Sequence, residues 1–512
     1  MRRLVISGGL VLTGPRWRPE PLDLLVVDGR IASVSAPGSF AEVDAERHDA
    51  TGALVIPGLV NGHTHSHARH ARGVNRDWTL ETSLLHGPWL AAGLDGERGL
   101  ELAELSATLT AVELLRSGCT GAFDLVAQAG LPDFERLSAV AGGYHGAGMR
   151  AVIAPMVADR SVHAAVPAIG GCCPPPPAGP STDLVLAACR DWATYAPALP
   201  GISPALAPTI AAHCTPELIT GLHALAREQG LRLHTHLAES LPQAASGEDR
   251  FGRSITAELG DLGVLDHHLT VAHAIWVDAA DLALLAEAGA VAVTVPGSNL
   301  RLGSGVADTR AMLDAGIRLA VGTDGANSSD AYDQLDAARL AALLSRVGSR
   351  SPGGWLSVEE TLSAATEGGA AACGWTETGR LAPDHAADLA LLDLGSSAFR
   401  PANDVPNQLL TAARAADVTD VFVAGRRVIA DRAAVRVDVA AAESRFSELV
   451  AELHERHAPA RRRGVDEAAA SAAALAALRA RPRGDARLLP ATSPLADPTP
   501  GPTPGENRRP SP

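Results

Sequence analysis

ALVIPGLVNGHTH, residues 53–65, decides how the chain is read. Its Val, Ile and Leu content predicts a strand over 53–60, and the segment closes on His63-Thr64-His65. Residues i and i+2 of a strand point to the same side, so both imidazoles can converge on one metal ion. A second run, LRLHTHLA (231–238), closes on His234-Thr235-His236 and leads into Glu239. One such pair among 18 His in 512 residues is compatible with chance. Two pairs at strand ends predict a metal site.

Working outward, apolar runs alternate with helical patterns. After 53–60, strands are predicted at 119–126, 149–157, 201–208, 231–238, 268–275, 290–296 and 317–324. Between them, Leu102, Leu105, Leu109, Val112 and Leu115, and later Leu218, Leu222 and Leu225, recur at helical spacing. Eight β/α units over about 270 residues match a TIM-type (β/α)8 barrel, whose sites gather at the C-terminal ends of the strands. A doubly wound open sheet would put a Gly-rich turn after its first strand, and none follows here. His273 closes the sixth strand and Asp324 the eighth, so both face the mouth that carries the histidine pairs. A buried Asp is expensive unless it is paired or bound to a cation.

The barrel is expected over 58–380, flanked by β-rich segments at 1–57 and 381–445 that pair into one small β-sandwich. Asp28-Gly29 and Gly425 mark hairpin turns in these flanks. GCCPPPPAGP (171–180) reads as a loop insertion, since four consecutive prolines join neither a helix nor a central strand. Residues 446–512 read as a mostly disordered C-terminal extension ending in PTPGPTPGENRRPSP, with room for an Ala-rich helix near 467–480.

Composition narrows the chemistry. All 43 basic residues are Arg, so Schiff-base, P-loop and carbamylated-lysine chemistry are excluded. The formal net charge of −15 argues against a nucleic-acid partner. Six cysteines form neither a disulfide framework nor a CxxC zinc pattern. With no apolar stretch near the ~20 residues of a membrane span and no signal-peptide core, a cytoplasmic protein with reduced thiols is expected.

In order along residues 1–445, PGLVNGHTH, HTHLAES, VAHAIW, VPGSNLRLGSG and GTDGANSSD resemble the metal-dependent amidohydrolase superfamily. The likeness is to its mononuclear-metal branch of triazine hydrolases and guanine, cytosine and S-adenosylhomocysteine deaminases. It implies one divalent metal, zinc or iron, held by His63, His65, His236 and Asp324. The absence of lysine supports one ion independently, because two-metal members commonly bridge theirs with a carbamylated lysine. The implied activity is aminohydrolysis of a nitrogen heterocycle by metal-activated water, on a small-molecule substrate. Asp324 would take the water's proton, Glu239 would protonate a ring nitrogen, and His273 would hold the attacked centre or the developing oxygen. A homo-oligomer is expected.

Two departures touch the substrate. Where nucleoside-type deaminases of the branch commonly have His after the fourth-strand proline, this chain has Thr209, with His213 either substituting or serving the loop structurally. Where a His-Asn-Pro strand end is common, it has Thr294-Val295-Pro296. Both count against adenosine or S-adenosylhomocysteine. Ser298 and Asn299 lie in a motif that the branch uses near its pocket. The first loop, 66–90, carries Trp78 and Trp89, which either stack on a flat ring or pack the loop. Cyclic-amide ring opening by the same metal set, and a catalytically silent scaffold, remain as alternatives, the second disfavoured by the retained ligands and Glu239.

Overall fold

The computed structural model describes residues 1–74, 77–87, 93–127, 130–165, 179–348 and 351–479. The run 53–65 divides at Pro57-Gly58 into two strands that enter different sheets. Ala53–Pro57 pairs antiparallel with Leu389–Asp393 in a flanking sheet. Leu59–His65 instead pairs parallel with Cys119–Ala127. All seven residues of Leu59–His65 are buried, as expected of a strand covered on both faces.

From Cys119–Ala127 the parallel sheet continues through Arg150–Val157 to Ile202–Pro204 and Ala207–Pro208. A second parallel sheet orders Leu233–Leu237, Leu269–His273, Val291–Thr294 and Arg318–Val321. Backbone hydrogen bonds join the two on one side, from His234 N to Leu206 O (2.9 Å) and from His236 N to Thr209 O (3.0 Å). On the other side Gly322 N donates to Thr294 O, Thr323 N donates to His63 O, and Asp324–Gly325 pairs with Leu59–His65. Asn61 reinforces that seam. Its Nδ2 donates to Thr323 Oγ1 (2.7 Å), while its Oδ1 accepts from the backbone N of His63 and of Thr323.

The helices expected between strands are present; the two leucine series lie on Gly96–Arg116 and Pro216–Gln229. The flanks form a four-stranded and a seven-stranded sheet. Leu4, Ile6, Leu24, Val26 and Ile31 of the first share one buried cluster with Val11, Val55, Leu389, Leu391 and Phe422 of the second. No helix among the described residues is long and apolar enough to cross a membrane. Cys119, Cys189, Cys214 and Cys373 are buried free thiols.

The expectation of a mostly disordered extension from residue 446 is corrected over its first part. A helix spans Val439–Arg479 without a break at Pro459. Leu449 and Leu453, four residues apart, are buried against Leu94 and Leu102. The Ala/Arg-rich composition concealed a stripe that has a partner surface. Residues 480–512, and all but the last two of the Pro-rich insertion, lie outside the described residues.

Candidate active site

The ends of four strands converge. His63 and His65 come from the first, His236 from the fifth, His273 from the sixth, and Asp324 follows the eighth. Two sets, His63/His65/His236 and His63/His273/Asp324, each bring one donor atom per residue within 4.8 Å of the others. His273 and Asp324 have positive φ, +68° and +62°, in the left-handed region that non-glycine residues rarely adopt. The packing holds the chain there, turning both side chains inward. Gly322 permits the closeness, because a Cβ would stand 2.8 Å from the His63 carbonyl oxygen.

Second partners turn the rings. His65 Nδ1 donates to Leu125 O (2.7 Å) and His236 Nδ1 to Thr209 O (2.5 Å), which leaves both Nε2 atoms as lone-pair donors 3.3 Å apart. His63 Nδ1 lies 3.2 Å from His234 Nε2, while the buried His63 Nε2 has no hydrogen-bond partner. Asp324 Oδ1 stands 3.2 Å from His65 Nε2 and 3.8 Å from His63 Nε2. An orphaned imidazole nitrogen, two opposed lone pairs and a carboxylate suit a divalent cation.

Electrostatics agree with that use. Burial, then the neighbouring histidines, holds the His63 ring well below its ordinary pKa, so it stays neutral and able to ligate. Burial alone would raise the Asp324 carboxyl, but His65, His273, a Ser298 hydrogen bond and His236 hold it below its ordinary value. Glu239 behaves oppositely: burial, then the charges of Asp324 and Glu81, raises its pKa well above the usual carboxylate range. Its Oε2 lies 3.6 Å from His273 Nε2, which has no hydrogen-bond partner. His273 Nδ1 bonds Asn299 Oδ1 at 2.8 Å.

The remaining candidates are placed unevenly. Ser298 and Asn299 are buried beside Asp324 and His273. Thr209 serves the cluster through its backbone carbonyl, and its hydroxyl points to Met156 Sδ at 3.8 Å. His213, in a short turn, belongs to neither metal-binding set and is pushed down to about 4 by burial and Arg250. Trp78 is half-buried just before the helix Leu80–His86, and Trp89 lies outside the described residues. Two groups escaped the sequence reading. His234 was seen as half of a pair, but its contact with His63 needs the ring geometry. Glu81, 2% exposed, sits on the first loop, where no periodic pattern flags it.

Fold and site together define a hydrolase of the metal-dependent kind. The model of the Amidohydrolase family matches residues 54–428, and the chain belongs to that family. It is 31% identical over 453 residues to the 5-methylthioadenosine/S-adenosylhomocysteine deaminase of Natronomonas pharaonis, covering 88% of this chain and 98% of that protein. Among solved structures, a zinc-bound adenosine deaminase from Xanthomonas campestris is similar at 27% identity and a TM-score of 0.78, over 88% of this chain and 98% of that one. The zinc complex of atrazine chlorohydrolase from Arthrobacter aurescens is similar at 25% identity and 0.79, over 87% and 100%. These neighbours match the triazine-hydrolase and deaminase branch.

Proposed function

We propose that the chain is a zinc-dependent deaminase of adenosine-type nucleosides altered at the 5′ position. The observation that carries the chemistry is the buried constellation of His63, His65, His236 and Asp324, with Glu239 three residues beyond His236 and its pKa raised by burial. The substrate class rests on the relatives. It stands against the two departures at Thr209 and Thr294, whose polar partners in such enzymes this chain lacks. The scaffold we infer is a (β/α)8 barrel, supported by the hydrogen bonds at both seams between its parallel sheets, with a β-sandwich formed by the two flanking sheets around their shared core.

His63, His65, His236 and Asp324 would hold a divalent ion, which would supply the Lewis acidity that makes water a nucleophile at neutral pH. Asp324 accepts the proton of the attacking water. Glu239 gives its proton to the ring nitrogen beside the amino-bearing carbon, which makes that carbon electrophilic. The proton held by Asp324 then passes to the departing amine, which leaves as ammonia, and the hydroxyl proton on the newly bonded oxygen returns to Glu239 as the carbonyl forms, restoring both carboxyl groups. Asn299 fixes the His273 tautomer, so Nε2 is an acceptor that aligns the attacking water. Donating to a developing oxygen would need a second proton on that ring.

The test is ammonia release from 5′-methylthioadenosine, S-adenosylhomocysteine, adenosine, guanine and an amino-triazine, with zinc-loaded and iron-loaded protein side by side. Turnover of the first two well above the rest is expected; turnover confined to guanine or the triazine would replace the substrate class and leave the chemistry standing.

A further inference from the structure

The helix Val439–Arg479 docks its first half on Gly96–Arg116, where ion pairs Arg445–Glu101 (2.7 Å) and Arg98–Glu452 (2.5 Å) border the Leu449 and Leu453 contact. From His454 onward it crosses the loop that follows His65. Ala460 packs with Ala71 and Val74. The His454 ring bonds the His70 backbone. The Glu467 carboxylate lies 3.6 Å from His86 Nδ1. The helix also runs alongside Leu241–Phe251, which begins two residues after Glu239.

The closest approach is at Gly464. A Cβ there would stand 2.3 Å from the carbonyl oxygen of His86, at the end of the helix Leu80–His86. Glu467 is about half exposed, and such surface pairs contribute little, so the backbone contact decides the placement. A helix of seven residues does not hold itself in water; tertiary packing must do so. Leu80–His86 carries Glu81, whose Oε2 accepts from the Thr79 hydroxyl at 3.2 Å and whose buried carboxyl is near enough for its charge to act on Glu239.

We propose that Gly464 is a positioning residue for the reaction: by letting the last helix lie against His86, it holds Leu80–His86, and with it Glu81, as one wall of the substrate pocket. The C-terminal helix is thereby part of the specificity apparatus. This rests on the proposed deaminase reading for its kinetic test, but its structural test needs no substrate.

The experiment compares full-length protein with Gly464→Ala, Gly464→Leu and a chain ended at Ala458, which keeps the Leu449 and Leu453 contact. The readouts are metal content, amide hydrogen exchange over 80–86, and kcat and KM for 5′-methylthioadenosine. Gly464→Leu is expected to retain its metal, to speed exchange of 80–86, and to raise KM about tenfold or more while kcat changes less; Gly464→Ala should fall between it and the parent. The shortened chain should reproduce the Leu variant, and it decides the matter if the Leu variant fails to fold. Wild-type KM and wild-type exchange, or a lower melting temperature with KM unchanged, would overturn the proposal. If the parent protein does not turn over the nucleoside, the proposed function fails and the exchange comparison alone decides the role of Gly464.

Discussion

His65 and His236 face each other with their Nε2 atoms 3.3 Å apart, each ring locked by an Nδ1 bond to a backbone carbonyl. Two lone pairs opposed at that distance repel each other unless a cation lies between them. Zn–N bonds of about 2.0–2.1 Å in a tetrahedral site place ligand nitrogens roughly 3.4 Å apart. The 3.3 Å between these two nitrogens therefore suits a tetrahedral divalent ion.

Removing either ring should remove the ion. His65→Ala and His236→Ala are each expected to fall from about one metal per chain to a small fraction of that, measured by elemental analysis after dialysis. Full occupancy in both variants would mean that the cation is held elsewhere.

Glu239 separates chemistry from ligation. Glu239→Gln should keep its metal and lower kcat by about 100-fold or more, the scale of a lost general acid. Loss of metal in this variant would make Glu239 a ligand instead.

The raised pKa of Glu239 fixes the sign of a pH effect. Burial, then Asp324 and Glu81, favours the protonated carboxyl in the folded chain. Its stabilising contribution is thus complete at low pH and lost as pH rises through the raised value. A proton donor follows the same course, so kcat should fall on the basic side as Glu239 ionises. The residual rate of Glu239→Gln should lack that limb, which a pH series of kcat for both proteins would reveal.

Leu453 tests the docking of the last helix. It is 1% exposed in a small cluster, and Leu453→Ala should cost about 2–5 kcal/mol, with the lower end favoured because so small a cluster can relax. Denaturant unfolding measures it; a cost near zero would mean that the helix contributes no packing.

Much of the site was legible because strand periodicity is strict. His63 with His65, and His234 with His236, must share a face wherever a strand carries them, and strand ends converge whenever the sheets close on one another. That 53–60 is two strands rather than one was not legible, because two successive apolar strands in different sheets look like one long run. Glu81 was hidden for another reason: it sits on a short loop helix that packs against residues almost 400 positions later, a contact that no local pattern announces. The last helix was hidden by its own composition, since Ala and Arg around Pro459 resemble an unpacked tail until the surface that Leu449 and Leu453 meet is known.

The central claim, a metal-dependent deaminase built on His63, His65, His236, Asp324 and Glu239, is tested most directly by ammonia release from 5′-methylthioadenosine by the zinc-loaded protein, before and after chelation. The account predicts release that stops when the metal is withdrawn and returns when zinc is restored. Release that continues unchanged in the metal-free protein would contradict it.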